Sequence, residues 1–379
     1  MTTKVALVVG ARGVIGSNLV EHLRGLPDWE VIGVSRRGGE GAGGEGVGGE
    51  NAGGANASGA NASGANGSGG AGGVRHLAVD LLDAEDSRVK LKELGDVTHV
   101  FYAAYQERPT WAELVAPNLA MLTNVVDAIE PVAAGLQHVS LMQGYKVYGA
   151  HLGPFKTPAR EDDPPHLPPE FNVDQQEFLV ERQRGKVWTW SALRPSVVGG
   201  TALGNPMNLA VAIAVYASIS KQLGVPLRFP GKPGAYDALL ELTDAGLLAK
   251  ATVWAATEPA AANQAFNITN GDLFRWSELW PKLAAWFEMP VAPPLPMPLQ
   301  DAMADKEALW DRIQSEHGLA GTPYADVSSW GFADFVFGWD YDFFADGSKA
   351  RRAGFHEYVE TEQMFYALFS ELRRQRIIP

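Results

Sequence analysis

The segment KVALVVGARGVIG, residues 4–16, constrains the fold more than any other stretch of the chain. It begins with a continuous apolar run, which is typical of a β-strand buried on both faces within a parallel sheet. Gly10, Gly13 and Gly16 follow at a spacing of three residues, and apolar residues at helical spacing begin behind them. This order predicts a strand, a tight glycine turn and a helix whose N-terminus is open to an anion.

Apolar runs and amphipathic segments continue to alternate as far as about residue 200. Such repetition of strand, helix and strand is characteristic of an α/β fold, in which a Rossmann-type, doubly wound parallel sheet carries helices on both faces. We predict strands at residues 4–10, 30–35, 74–80, 97–104, 136–142 and 187–195, and helices at 13–26, 84–94 and within 111–130.

Changes in composition along the chain suggest how it is divided. We predict a nucleotide-binding domain over residues 1–200. Beyond it Trp, Pro and Phe become dense, which favours a smaller, mostly helical substrate lobe over residues 201–379 with crossovers back to the sheet. Residues 38–73 consist largely of Gly, Ala, Asn and Ser, so we expect a disordered insertion in a surface loop.

Composition also excludes several classes of function. With 31 Lys and Arg against 44 Asp and Glu, the formal net charge is −13, so we expect neither nucleic acid nor a membrane as a partner. The lack of cysteine removes disulfides and thiol chemistry, and the eight histidines show no metal-ligand spacing. Without a signal peptide or a long apolar run, we expect a cytoplasmic protein. A homodimer is compatible with the sequence, which does not specify the oligomeric state.

The glycine turn predicts a dinucleotide site because each glycine has a separate use. Gly10 permits the tight turn, Gly13 lets the backbone approach a pyrophosphate, and Gly16 allows the helix to pack closely on the strand. The first turn of the helix, with Val14 and Ile15, then offers N–H groups and the positive end of the helix dipole to the phosphates.

The residues after the second strand favour NADP(H) over NAD(H). Enzymes that use NAD usually place an acidic residue there, whereas this chain has Ser35, Arg36 and Arg37. Two guanidinium groups can bind a 2′-phosphate, and Arg12 in the glycine turn adds a third positive charge. The alternative is that these arginines are solvated at the edge of a loop.

Further candidate contacts follow the other strands. Asp80 is placed to meet the adenine amino group, and Leu81 to pack on the adenine ring. Ala103 and Ala104 leave room for the cofactor, while Tyr105 is expected to face a substrate. Three residues at the end of the sixth strand and just after it complete the predicted cofactor site: Pro195, Val197 and Val198.

Several motifs together resemble one family, the progesterone 5β-reductase and iridoid synthase (PRISE) group of short-chain dehydrogenases/reductases. The resemblance implies NADPH as cofactor and reduction of a carbonyl, or of the C=C bond of an enone or enal, in a small hydrophobic substrate. Its motifs cover nearly the whole chain outside the insertion: GARGVIGSNL, SRR, VTHVFYAAY, QGYKVYG, WTWSALRPSVVGG, NGDLFRWSELW and SKARRAGF.

The same resemblance identifies Lys146, in GYKVYG, as the catalytic lysine. The family's catalytic tyrosine belongs to a motif that matches Phe171, Asn172 and Val173, and both tyrosines of that motif are missing here. We expect Asn172 and Val173 to line the substrate pocket. The chain is therefore expected to be an atypical member that lacks the tyrosine.

A lost phenol matters because hydride addition to an enone leaves negative charge on the carbonyl oxygen, which a phenol and an ammonium group can stabilise. Val173 provides no polar group, and an asparagine amide donates hydrogen bonds but cannot act as an acid. Lys146 remains, flanked by two candidate phenols, Tyr145 and Tyr148, each of which has packing as its alternative role. Other candidates for reaching the pocket are Tyr102, Tyr105 and His151.

Three functions stay open at this point. The first is an NADPH-dependent reductase, with a pocket formed by Tyr105, Val173 and aromatic residues such as Trp330, Phe335 and Phe337, unless those aromatics belong to the core. The second is an isomerase, cyclase or lyase that keeps NADP(H) bound on the same scaffold. The third is a non-catalytic protein that binds NADP(H), which mutation of Lys146 would distinguish from the other two.

Overall fold

The structure, a computed structural model, describes residues 3–36 and 74–379. The predicted insertion at 38–73 lies outside these residues. The strands are β1 Lys4–Val9, β2 Trp29–Ser35, β3 Arg75–Ala78, β4 His99–Tyr102, β5 His138–Met142, β6 Thr189–Pro195, β7 Val197–Gly199, β8 Leu242–Asp244 and β9 Gln264–Ile268. Seven of them form a parallel sheet in the order β3-β2-β1-β4-β5-β6-β9, which confirms the predicted doubly wound α/β fold, and β7 and β8 pair separately.

Helices cover both faces of this sheet, as the continuous apolar runs of the strands predict. The helices that pack against the sheet are α1 Val14–Arg24, α2 Ala84–Leu91, α3 Trp111–Ile129, α4 Phe171–Gln183 and α6 Ala245–Thr257. Helix α5 Leu209–Gln222 belongs to the large apolar cluster of the second half of the chain. In β1, Leu7 and Val9 pack with residues of α2, α3 and α4, whereas Ala6 and Val8 pack with residues of α1 and α6.

Most residues of the second half of the chain that are buried belong to one large apolar cluster, and the chain also returns to the sheet. Phe229, Trp276, Trp280 and Phe337, with exposures of 0–1%, form a cluster in which all ring pairs except Phe229–Trp276 are edge-to-face. Strand β9 then enters the sheet beside β6. The remaining helices are α7 Trp276–Trp286, α8 Leu299–Ala302, α9 Glu307–His317, α10 Tyr324–Val327, α11 Trp330–Phe337, α12 Ser348–Arg352 and α13 Thr361–Arg374.

Several predicted strands continue further at their carboxyl ends than the regular hydrogen-bonded strands of the structure do. The strands predicted at 74–80 and 97–104 are regular only over 75–78 and 99–102. Beyond them the chain keeps one more bond to its neighbour, since the Val79 N–H donates to the Ser35 carbonyl at 3.0 Å and the Ala103 N–H to the Val9 carbonyl at 2.8 Å. At the carboxyl ends of β3 and β4 the chain therefore stays bonded to the neighbouring strand just beyond the regular ladder.

The order of the strands places a candidate site at this edge. The connection after β1 runs to β2 on one side, whereas β4 lies against β1 on the other, so the strand order reverses between β1 and β4. In open α/β sheets, ligands bind outside the carboxyl ends of the strands at such a point.

Across the described residues, no helix is long and apolar enough to cross a membrane.

Candidate active site

The glycine turn and the loop after β4 are in direct contact at the point where the strand order reverses. Gly10 has a φ of +88°, and a Cβ placed on it would lie 2.8 Å from the carbonyl carbon of Ala103. A Cβ on Gly16 would lie 2.8 Å from the carbonyl carbon of Gly10 and 2.9 Å from the Cα of Ala11. These two positions need glycine because backbone occupies the space of a side chain.

Gly13 differs, because it has room on its outer side. A Cβ there would meet only the Gly10 carbonyl oxygen at 3.5 Å and the Asn205 amide nitrogen at 3.8 Å among the described residues. Gly13 is the N-cap of α1 without a side-chain cap, and the first turn contains no acidic residue. By contrast, the N-terminus of α2 is capped by the Asp83 carboxylate and that of α4 by Glu170. The first-turn N–H groups of α1, which lack acceptors within the helix, fit an anionic group.

The glycine turn is also tied to the end of β2. The N–H groups of Gly10 and Ala11 donate to the Val34 carbonyl at 2.9 and 3.1 Å. Arg12 therefore lies beside this strand end, where burial and the Arg12 charge together lower the pKa of His76. The exposed Arg36 follows the half-buried Ser35 at this strand end. Arg12 and Arg36 therefore both contribute positive charge at the end of β2. Arg37 lies outside the described residues.

Of the other predicted cofactor contacts, Asp80 is exposed and Leu81 is buried in the core between α2 and α3. Ala103 and Ala104 are half-buried at the end of β4. The segment after β6 reaches α1, because a Cβ on Gly200 would lie 2.6 Å from Val14 Cγ1. Four predicted contacts converge on one apolar cluster or its border: Ile15, Ala103, Pro195 and Val198.

Lys146 lies in a single 3₁₀ turn, Tyr145–Tyr148, directly after β5. Its ammonium nitrogen is 5.3 Å from the ring centroid of Tyr105, 5.3 Å from that of Trp111 and 5.8 Å from that of Phe171. Cations within about 6 Å of an aromatic face are attracted by the ring quadrupole. The three rings, which we call the aromatic cage, come from the loop after β4, the start of α3 and the start of α4.

Burial lowers the pKa of Lys146, and the negative charges of Glu107 and Glu170 oppose that effect. Glu170 is itself buried, which raises its pKa, although Asn172 and Lys146 favour its charged form. On the far side of the cage, the His151 ring lies 4.6 Å from that of Trp111. Burial and then the charge of Lys146 lower the pKa of His151 to about 4, so this histidine is neutral at pH 7.

Tyr145 and Tyr148 both have hydroxyl groups that are held in buried hydrogen bonds. The Tyr145 hydroxyl donates to Glu241, whose pKa burial raises to about 8. The Tyr148 hydroxyl donates to Asn267 Oδ1 at 2.6 Å and accepts from the Arg194 guanidinium at 2.9 Å. Burial raises the pKa of Tyr148 to about 12 and that of Tyr145 well above its ordinary value.

The positions that match the missing tyrosines are Asn172 and Val173, at the start of α4. Asn172 is 4% exposed, and its side-chain amide donates to Glu170 at 2.8 Å. The Gln143 amide in turn donates to the Asn172 carbonyl at 2.7 Å. Val173 is half-buried and has no polar side-chain atom. This corner of the site therefore contributes no hydroxyl.

Tyr105 keeps its hydroxyl near the surface, where it donates to Glu107 at 2.8 Å. Tyr102, three residues earlier, is 1% exposed, and its hydroxyl lies in the core with no hydrogen-bond partner among the described residues. Among the aromatic residues expected near a pocket, Trp330 and Phe337 are buried in the core, whereas Phe335 is 38% exposed.

Sequence reasoning missed Trp111, Glu107 and Glu170, since no local pattern marks residues that meet only in the folded chain.

Comparison with known proteins places the chain among enzymes. A family model described as a PRISE-like Rossmann-fold domain matches residues 74–379. A (S)-8-oxocitronellyl enol synthase of Nepeta racemosa is 33% identical, covering 99% of this chain and 91% of the relative. A 3-oxo-Δ4,5-steroid 5β-reductase of Arabidopsis thaliana is 32% identical over 99% of this chain and 93% of the relative.

Solved structures show the same fold at lower identity. UDP-glucose 4-epimerase of Thermus thermophilus, solved with NAD, is 19% identical and covers 97% of this chain and 99% of its own, with a TM-score of 0.62. The enzyme WbmG of Bordetella bronchiseptica, solved with NAD and UDP, is 17% identical with a TM-score of 0.63, covering 100% of this chain and 97% of its own.

The two kinds of glycine predict different effects of substitution by alanine. Gly16→Ala forces Cβ against the Gly10 backbone, so we expect a loss of about 1–3 kcal/mol or more in unfolding free energy, measured by urea denaturation. Gly13→Ala should lose less than about 1 kcal/mol, the usual scale of an N-cap change, yet weaken binding of a nicotinamide dinucleotide at least tenfold (about 1.4 kcal/mol). Equal dinucleotide affinity in wild type and Gly13→Ala would contradict a cofactor-binding role of this turn.

Proposed function

The chain belongs to the PRISE-like Rossmann-fold family, and on that premise we propose that it is an NADPH-dependent reductase of an α,β-unsaturated carbonyl or a ketone. It is an enzyme of the short-chain dehydrogenase/reductase type, a small-molecule reductase or cyclase. The observation that carries the finer proposal is the half-buried ammonium of Lys146 inside the aromatic cage, at the same sheet edge as the glycine turn.

The residues at the glycine turn fit a nicotinamide dinucleotide. The uncapped start of α1 suits the pyrophosphate, and the room beside Gly13 allows close approach of its oxygens. Arg12 and Arg36 support NADP(H), since a 2′-phosphate needs positive charge at the end of β2. When bound, such a cofactor supplies a hydride from C4 of its nicotinamide ring.

Lys146 has the properties that a reducing site needs at the substrate oxygen. Negative charge that develops on this oxygen is stabilised most strongly by a cation already in place in surroundings of low polarity. The three rings of the cage come from separate segments of the chain, and each ring centroid lies within 5.8 Å of the ammonium. In this proposal Lys146 stabilises the negative charge on the substrate oxygen, and another group donates the proton.

The substrate class follows from the walls of the site. The rings of Tyr105, Trp111 and Phe171 lie around Lys146, and Trp111, which is 42% exposed, leaves apolar surface open to a ligand. A small hydrophobic molecule with a carbonyl group fits such walls. The names of two relatives, a steroid 5β-reductase and an oxocitronellyl enol synthase, support substrates of this kind.

A second function, isomerisation or cyclisation of a reactive carbonyl compound, is favoured by one observation. Both phenols that flank Lys146 are committed to buried hydrogen bonds, and Val173 cannot donate a proton. A site that polarises a carbonyl without delivering a proton to carbon is suited to rearrangement as well as to reduction.

Cofactor preference can be tested at Arg36. Replacing it in Arg36→Glu puts a carboxylate where the 2′-phosphate is proposed to lie, so NADPH should be repelled and the NADH ribose accepted. We expect kcat/KM for NADPH to fall at least tenfold and the ratio of NADPH to NADH activity to fall further. Lys90→Glu, an exposed change on α2, is the charge-matched control. An unchanged ratio in Arg36→Glu would contradict the NADP(H) assignment at this residue.

Reduction itself is tested by deuteride transfer. Wild-type enzyme is incubated with 4-deuterated NADPH, in both stereoisomers, and a panel of enones, enals and ketones, and deuterium in the product is measured by mass spectrometry. We expect transfer by the wild type and a loss of at least about 100-fold in Lys146→Met, the scale of an oxyanion-stabilising group. Lys349→Met is the matched control, since Lys349 is also half-buried above an aromatic ring, Phe266, at 5.0 Å.

The Val173→Tyr variant separates the two functions. If the wild type transfers deuteride, the reductase proposal stands. If only Val173→Tyr transfers it, the natural chain is not a reductase, and the same substrates should then be examined for isomerised or cyclised products without deuterium.

A further inference from the structure

We propose that Tyr105 supplies the phenol that the start of α4 lacks, donating its hydroxyl proton to the substrate oxygen beside Lys146. This inference rests on the proposed reduction and names a further catalytic residue for it. Its basis is the place of Tyr105 in the aromatic cage and the hydrogen bond of its hydroxyl to Glu107.

Tyr105 lies between Lys146 and the start of α4 and comes from the loop after β4. Its ring centroid is 5.3 Å from the Lys146 ammonium and 5.6 Å from the ring of Phe171. Phe171 directly precedes Asn172 and Val173, the positions that match the missing tyrosines. Tyr105 therefore borders the start of α4, next in sequence to the positions where the family's phenol is missing.

The hydroxyl of Tyr105 carries its proton at neutral pH. Burial and the neighbouring Glu107 raise the pKa of Tyr105, so the phenol holds its proton at neutral pH. Glu107 is exposed, and rotation about the C–O bond is enough to turn the hydroxyl proton from the Glu107 carboxylate towards a bound substrate. The side chain therefore connects the cage with solvent.

The other candidates are less suitable for physical reasons. The hydroxyls of Tyr145 and Tyr148 bind Glu241 and Asn267 within the core, and the ring of Tyr102 is buried among the residues under α3. His151 is neutral at pH 7, because burial lowers its pKa to about 4. A neutral imidazole is not an effective acid at that pH.

The proposed step balances in charge and atoms. As hydride from NADPH adds to the β-carbon of an enone, the electron pair of the C=C bond moves towards the carbonyl, and its oxygen becomes negative. The O–H bond of Tyr105 breaks and a new O–H bond forms on that oxygen, so the product leaves as an enol. The Tyr105 phenolate, stabilised by Lys146, regains a proton from water by way of Glu107. The sum consumes one NADPH and one proton.

Tyr105→Phe tests this role cleanly, because phenylalanine keeps the ring of the cage and its contact with Phe171 while removing only the hydroxyl. General acids contribute about 10²–10⁴-fold to rate, so we expect kcat to fall at least about 100-fold. The dissociation constant for NADPH, measured by fluorescence, should stay within about twofold because the glycine turn is untouched. Tyr366→Phe, which removes a hydroxyl on α13, is the control and should keep wild-type kcat.

The outcomes separate the two proposals. If the wild type reduces members of the panel and Tyr105→Phe keeps kcat within threefold, Tyr105 is not the acid, although the reductase proposal stands. A parallel fall of kcat and NADPH affinity in Tyr105→Phe would also overturn the acid role, because the variant would then disturb cofactor binding. If the wild type transfers deuteride to no member of the panel, the reductase proposal fails, and the acid role of Tyr105 fails with it.

Discussion

The half-buried charge of Lys146 is the interaction on which the architecture of the candidate site depends. Removing an ammonium group from water is costly unless its surroundings replace hydration. Here the replacement comes from the faces of Tyr105, Trp111 and Phe171, with two carboxylates nearby, and burial still lowers the pKa of the lysine. Because each ring belongs to a different segment, the charge helps to fix the loop after β4 and the starts of α3 and α4 relative to one another.

The same loop after β4 joins this charge to the glycine turn. Ala103 lies against Gly10, and two residues later Tyr105 lies against Lys146. A short segment at the reversal of strand order thus borders both the proposed cofactor site and the aromatic cage. This arrangement explains how a chain without the tyrosines at Asn172 and Val173 can retain an organised site, since the lysine is held by packing and not by a phenol at that position.

The fold and the glycine turn were predictable from sequence because their signals are local. An apolar run, three spaced glycines and an amphipathic helix lie within residues 4–26, and the physics of each is complete over a few residues. The aromatic cage was not predictable, since residues 105, 111, 146 and 171 meet only when β4, β5, α3 and α4 are in place.

The directions of the side chains around Lys146 were also not predictable from the sequence. In a 3₁₀ turn, residues three apart lie on one face. Tyr145 and Tyr148 therefore pack together, with ring centroids 5.7 Å apart, towards the core of the second half of the chain, while Lys146 projects from another face.

The most direct measurement is the NMR spectrum of protein labelled with ¹³C at the lysine ε-carbons, recorded across an alkaline pH titration, with Lys146→Arg to assign the signal. Aromatic faces shift a nucleus above them upfield, and burial lowers the pKa of Lys146 from the ordinary 10.5. One resonance, absent in Lys146→Arg, should therefore lie upfield of the exposed lysines and titrate at lower pH than they do. A Lys146 signal among those of the exposed lysines, with the same midpoint, would contradict an ammonium held in the aromatic cage.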